Sequence, residues 1–180
     1  MKTRDLTLTG IMAALLCIVG PLTVPVGPVP LSLATFAVYL SGAILGWKRG
    51  TAAVALYLLI GLAGLPVFSA FSGGFQKLAG VTGGYLIGYL FCALITGLGS
   101  SGSPVQRKLS ALPLIFRMIA GTAVLYAFGT AWFVFQTGKT AGAALVLCVL
   151  PFLAGDAAKI AAAALIAPQV RKALFPFSVS

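Results

Sequence analysis

The sequence predicts an all-α integral membrane protein, a compact bundle of six transmembrane helices with both termini cytoplasmic. Three observations carry that expectation. Of 180 residues, 60% are hydrophobic and only 8% are charged, where a soluble domain of this size carries about a quarter charged residues. The mean hydropathy is +1.09. The apolar residues gather in six segments with basic clusters between them, the pattern that sets orientation in a bilayer.

The first segment, Leu6–Val24, follows Lys2 and Arg4. Its flanks are those of a signal peptide, but five apolar segments follow and no persuasive small-residue cleavage site is present. The second and third, Leu31–Gly46 and Thr51–Leu65, are short against the roughly 20 residues of a span. A re-entrant pair would bury the Trp47-Lys48-Arg49 turn in lipid, which is costly. Two true spans, lengthened by flanking residues, are therefore expected. Gly80–Leu98, Ala111–Val134 and Ala143–Pro168 complete the set. At about 20 residues per span, about 60 residues are left for termini and loops. Residues 1–180 thus read as one six-helix domain.

With the N-terminus inside, Lys2, Arg4, Lys48, Arg49, Arg107, Lys108, Arg171 and Lys172 are cytoplasmic, and only Lys77 and Lys139 lie outside. That bias follows the positive-inside rule. The outer stretch Pro25–Pro30 is stiff, with three prolines that each fix φ; it reads as a tight connector or as the rim of a site. The loop Pro66–Ala79 carries Phe68, Phe71, Phe75, Gln76 and Lys77, as interfacial anchors or as a lid. The inner Gly99–Pro104 stretch reads as a linker. Small residues recur every four positions at Gly42, Gly46 and Gly50, at Gly80, Gly84 and Gly88, and at Gly10 and Ala14. In lipid such steps let helices approach closely. The Gly10/Ala14 face can instead meet a partner's helix.

Composition excludes much chemistry. There is no His, and Asp5 and Asp156 are the only acids. Ser-His-Asp catalysis, HExxH metal sites and paired-carboxylate mechanisms are ruled out. No GxxxxGK[ST] occurs, so the chain has no P-loop for ATP. Cys17, Cys92 and Cys148 form no CxxC pair and sit in apolar runs, where they serve as small fillers. No metal site and no catalytic residue is expected. The net charge of +10 reflects membrane topology rather than nucleic-acid binding.

Asp156 and Lys159 are the most informative residues. Both lie in the sixth apolar segment, where a charge costs about 2.5–3.5 kcal/mol even on the lenient insertion scale. Positions i and i+3 share a helix face, so they are natural partners. A self-neutralising pair between helices is one reading. The other is a buried polar site that offers one strong acceptor and one strong donor to a small ligand. Pro151 and Gly155 weaken the helix just before the pair and can free backbone groups. Gly80-Val-Thr-Gly-Gly-Tyr85 opens the fourth span. A glycine-rich helix N-terminus suits a carboxylate, with Thr82 and Tyr85 adding hydroxyls. Arg117 snorkels to the interface and receives no ligand role.

Four stretches together resemble the BioY family, the biotin-binding S components of energy-coupling factor (ECF) transporters. They are Pro30-Leu-Ser-Leu-Ala-Thr-Phe36, Gly61-Leu-Ala-Gly-Leu-Pro-Val-Phe68, Thr82-Gly-Gly-Tyr-Leu-Ile-Gly88 and Gly155-Asp-Ala-Ala-Lys159. The resemblance runs from the first segment to the last. It implies six helices, an outward-facing pocket for biotin, and residence in the bacterial cytoplasmic membrane. It also implies a transmembrane coupling protein and two ABC-type ATPases as partners, with an S component that topples to deliver its ligand. The family's acid and lysine fall on Asp156 and Lys159, and its Gly-Gly-Tyr on Gly83, Gly84 and Tyr85. Small residues of the first helix, Gly10 and Ala14, then face the coupling protein. Two departures are Ala34, where the family often has Gln, and Val81, where it often has Pro.

The chemistry of biotin agrees. Its ureido group offers N–H donors to Asp156 and a carbonyl to Lys159. Phe36, Phe68 and Phe71 are candidate apolar walls, and Gln76 is a further candidate ligand-binding residue. Gly83, Gly84 and Tyr85 are candidate donors to the carboxylate, which could instead meet Lys159. Alternatives are an S component for another small vitamin, an autonomous carrier using Asp156 and Lys159 as a relay, and a membrane enzyme limited to Ser-Lys or Tyr chemistry. A homo-oligomer is compatible with all of them.

Overall fold

The computed structural model describes residues 3–25, 29–99 and 110–175. The described residues are helical apart from a short hairpin and the connections. Helix α1 spans Thr3–Val19, and strands β1 (Thr23–Val24) and β2 (Leu31–Ser32) pair antiparallel. Then come α2 (Ala34–Leu62), a 3₁₀ turn at Ser69–Phe71, α3 (Phe75–Ala79) and α4 (Gly83–Gly97). Helices α5 (Ala111–Thr137), α6 (Ala141–Cys148) and α7 (Leu150–Leu174) complete the chain. The Gly99–Pro104 linker lies almost wholly outside the described residues, as do Arg107 and Lys108.

Three helices are long and apolar enough to cross a membrane: Ala34–Leu62, Ala111–Thr137 and Leu150–Leu174. The first of these is not straight. Gly46 has φ 79°, ψ 173°, a conformation that glycine adopts without a Cβ penalty. Beyond it the chain doubles back. A Cβ on Gly50 would lie 2.6 Å from the Ser41 carbonyl oxygen, whereas a straight helix separates residues nine apart by about 13 Å. The expected second and third segments are therefore the two arms of one helical hairpin with its tip at Gly46. The expected sixth segment is also divided. Val149, with φ −125°, ψ −55°, separates α6 from α7, just before Pro151, which has no N–H to continue the ladder. The expected first segment ends early, because Gly20 and Pro21 turn the chain into the β1–β2 hairpin.

Helix α4 packs between α2 and α5, and its glycines set the approach. A Cβ on Gly84 would lie 2.3 Å from Trp132 Cβ and 2.5 Å from the Phe128 carbonyl oxygen. Gly97 meets the Trp47 backbone, and Gly42 meets the Ala93 carbonyl. Gly10 has nothing within 4 Å of a Cβ, and Ala14 is exposed. The core runs through Leu16, Val38, Tyr39, Val54, Met118 and Leu125. Leu6, Ile18, Leu59, Phe116, Phe135 and Leu165 are exposed. That apolar exterior suits lipid rather than water, and the chain is a membrane protein.

The two ends of the bundle differ. At one end lie the Gly46 tip and the C-termini of α4 and α7. There Arg49 Nη2 pairs with Asp5 Oδ2 at 2.9 Å, and Arg171 donates to the Ala43 carbonyl at 3.1 Å. Arg4 donates to the Leu174 carbonyl and covers the Phe175 ring. The opposite end holds the hairpin, the start of α4 and the start of α7.

Candidate functional site

A cavity lies at this second end. Its empty space is about 560 Å3, with the open mouth included. Val29, Pro30, Leu31 and Ser32 come from the hairpin, Thr35 and Tyr57 from the two arms of α2, and Ser69 from the 3₁₀ turn. Thr82, Tyr85, Leu86 and Tyr89 come from the start of α4, and Leu125 and Tyr126 from α5. Phe152, Asp156 and Lys159 come from α7. Four of the five tyrosines line it, so the wall is aromatic with hydroxyl tips.

Asp156 and Lys159 occupy consecutive turns of α7 and are 4% and 8% exposed. Lys159 Nζ donates to Asp156 Oδ1 at 2.8 Å, to Thr35 Oγ1 at 2.9 Å and to the Ser32 carbonyl at 2.7 Å. Thr35 lies 3.3 Å from Asp156 Oδ1, and the Tyr126 hydroxyl donates to Asp156 Oδ2 at 2.6 Å. One network thus ties α7 to the hairpin, α2 and α5. The two charges cancel, and each has further hydrogen bonds, the condition for burying a pair.

The break at Val149 shapes the wall. The Phe152 N–H bonds to the Val149 carbonyl rather than to that of Cys148. The freed Cys148 carbonyl accepts from the Tyr85 hydroxyl at 3.0 Å. Gly155 remains helical, and its bare face meets Leu31.

Of the residues singled out in the sequence, Asp156, Lys159, Thr82 and Tyr85 line the cavity. Gly83 and Gly84 lie against Leu78 and α5, where a Cβ would collide. The Gly83 and Tyr85 N–H groups are engaged by the Gly80 and Thr82 carbonyls. Phe68 is fully buried, edge-on to Tyr57 with ring centroids 5.5 Å apart. Phe36 is half-buried against the core. Phe71 and Gln76 are exposed away from the lining. The lining also includes Tyr126, Thr35, Ser32, Tyr57 and Tyr89, which the sequence pattern does not single out. A tyrosine inside an apolar run needs a partner for its hydroxyl, and that signal points to Tyr57, Tyr89 and Tyr126. Among the described residues no cluster of three metal-ligating side chains occurs.

A helical bundle with an apolar exterior and an aromatic pocket beside a neutralised charge pair defines a membrane protein suited to hold a small polar molecule with an apolar body. The BioY family model matches residues 1–175, and the chain belongs to the BioY family. It is 40% identical to the biotin transporter BioY of Thermotoga maritima, over 94% of this chain and 96% of that one. It is 36% identical to the probable biotin transporter BioY of Pyrococcus horikoshii, over 95% and 98%. Its fold matches a crystal structure of the S-component for biotin from an ECF-type ABC transporter. The TM-score there is 0.87, at 29% identity, covering 95% of this chain and 92% of that one. The family is one of transporters, not enzymes.

Proposed function

We propose that the chain is the biotin-capturing S component of an ECF-type uptake transporter. The observation that carries this is the Asp156–Lys159 pair, buried at the wall of a cavity whose aromatic lining suits a ligand with an apolar ring body. A pair kept only for stability is readily replaced by apolar residues. One kept at a cavity wall meets a polar ligand group. The names of the relatives and of the matching S component support biotin as that ligand.

In this reading the chain makes six spans: α1, the two arms of α2, α4, α5, and α6 with α7. The basic Gly46 end is cytoplasmic, with both termini, and the cavity faces outward across the bacterial cytoplasmic membrane. Lacking a P-loop, the chain works with a transmembrane coupling protein and two ABC-type ATPases and needs no cofactor. The open Gly10/Ala14 face of α1 is where the coupling protein packs.

Uptake of labelled biotin into biotin-requiring cells tests this. Expression with the coupling protein and ATPases is expected to raise uptake at least about tenfold over the chain alone. Equal uptake by the chain alone, abolished by an uncoupler, would establish an autonomous carrier instead.

A further inference from the structure

The hydrogen-bonding capacity of the buried network is unevenly used. Lys159 has three N–H bonds, and Ser32, Thr35 and Asp156 Oδ1 accept one each. Each carboxylate oxygen has two lone pairs. Oδ1 faces both Lys159 and Thr35. Oδ2 accepts only from Tyr126 among the described residues, so one lone pair remains open. The Tyr126 hydroxyl can rotate its proton and accept as well, and Tyr126 lines the cavity. The spare polar capacity at the wall is therefore Asp156 Oδ2 beside Tyr126 Oη, 2.6 Å apart. Lys159 already balances the Asp156 charge at 2.8 Å, so this edge suits a neutral group.

We propose that Tyr126 is a specificity-determining residue, donating to the carbonyl of a cyclic urea or lactam edge while Asp156 Oδ2 accepts the adjacent N–H. Such an edge presents oxygen and nitrogen about 2.3 Å apart, from C=O and C–N bonds of about 1.23 and 1.33 Å. That separation is close to the 2.6 Å of the protein pair. On binding, the Tyr126 proton turns from Oδ2 to the ligand carbonyl, and the ligand N–H replaces it at Oδ2. The carboxylate keeps its number of donors, and no charge moves. An analogue without the carbonyl acceptor leaves the hydroxyl without its ligand partner, which is how polar sites discriminate strongly. The inference rests on the biotin reading above, since the head of biotin is a cyclic urea.

The experiment is equilibrium binding to the purified full chain in detergent, wild type beside Tyr126→Phe. The ligands are biotin and its analogue with sulfur in place of the ureido oxygen, a weaker acceptor. Thermal unfolding of both proteins verifies folding. Tyr126→Phe is expected to weaken biotin at least about tenfold, one hydrogen bond's worth, and to weaken the sulfur analogue less than about threefold. Biotin affinity within threefold of wild type would overturn the role of Tyr126 and leave the biotin reading intact. Equal loss for both ligands would also overturn it, making Tyr126 only a support for Asp156. Failure of the folded wild type to bind biotin would instead remove the reading on which the inference rests.

Discussion

Lys159 and Asp156 depend on each other more than on any third group. Removing Lys159 leaves a carboxylate held by Tyr126 and Thr35 alone in a setting where an uncompensated buried charge costs about 3–5 kcal/mol. Removing both charges lifts that penalty. Lys159→Met is therefore expected to lower the thermal midpoint of the ligand-free chain in detergent clearly, and Asp156→Asn combined with Lys159→Met to recover most of the loss. A double variant no more stable than Lys159→Met would contradict the charge argument. The pair was legible because charge is rare in an apolar run and i,i+3 spacing joins it. Its hydroxyl partners were not, because their bonds span 30 and 121 positions and serines and threonines are scattered through the spans. Phe68 misleads for a related reason. An aromatic residue in a connecting segment reads as interfacial, but this one fills the gap that Gly61 leaves beside Tyr57.

Helix positions followed from apolar runs, and helix breaks followed from single residues. The α2 hairpin turns where Gly46 permits a positive φ, and the α6–α7 break sits just ahead of Pro151. The first segment ends early at Gly20-Pro21, a turn dipeptide set inside an apolar run that continues to Val24. The four-residue glycine steps announced close packing, but their partners came from folding. Gly84 touches α5 and Gly42 touches α4. Gly84→Leu drives a side chain into backbone and Trp132, and overpacking costs about 1–3 kcal/mol. Its expected result is a lower thermal midpoint in detergent with the same monodisperse elution when cold. An unchanged midpoint would show that α4 and α5 are not held by this contact. Gly83 and Gly84 read from sequence alone as candidate ligand donors, because a glycine at a helix start looks alike whether it faces a ligand or a helix.

The whole molecule has a basic end that is closed by backbone and charge contacts and a second end with the cavity. Lys48, Arg49, Arg171 and Lys172 sit at the first, and the buried pair, four tyrosines and the hairpin form the second. The exterior between them is apolar. Charge spacing made this polarity legible, whereas cavity shape depends on how the hairpin, the 3₁₀ turn and four helices converge. Capture of a small ligand at one end and assembly elsewhere is the division of labour that this layout allows. That layout requires biotin to bind at the cavity wall that Asp156 and Lys159 build together. The most direct test is equilibrium binding of labelled biotin to the purified chain, with Asp156→Asn and Lys159→Met beside it. One-to-one binding, weakened at least about tenfold in each variant, is the predicted result. A folded, monodisperse wild type that leaves biotin unbound would contradict it, as would variants that bind as well as the wild type.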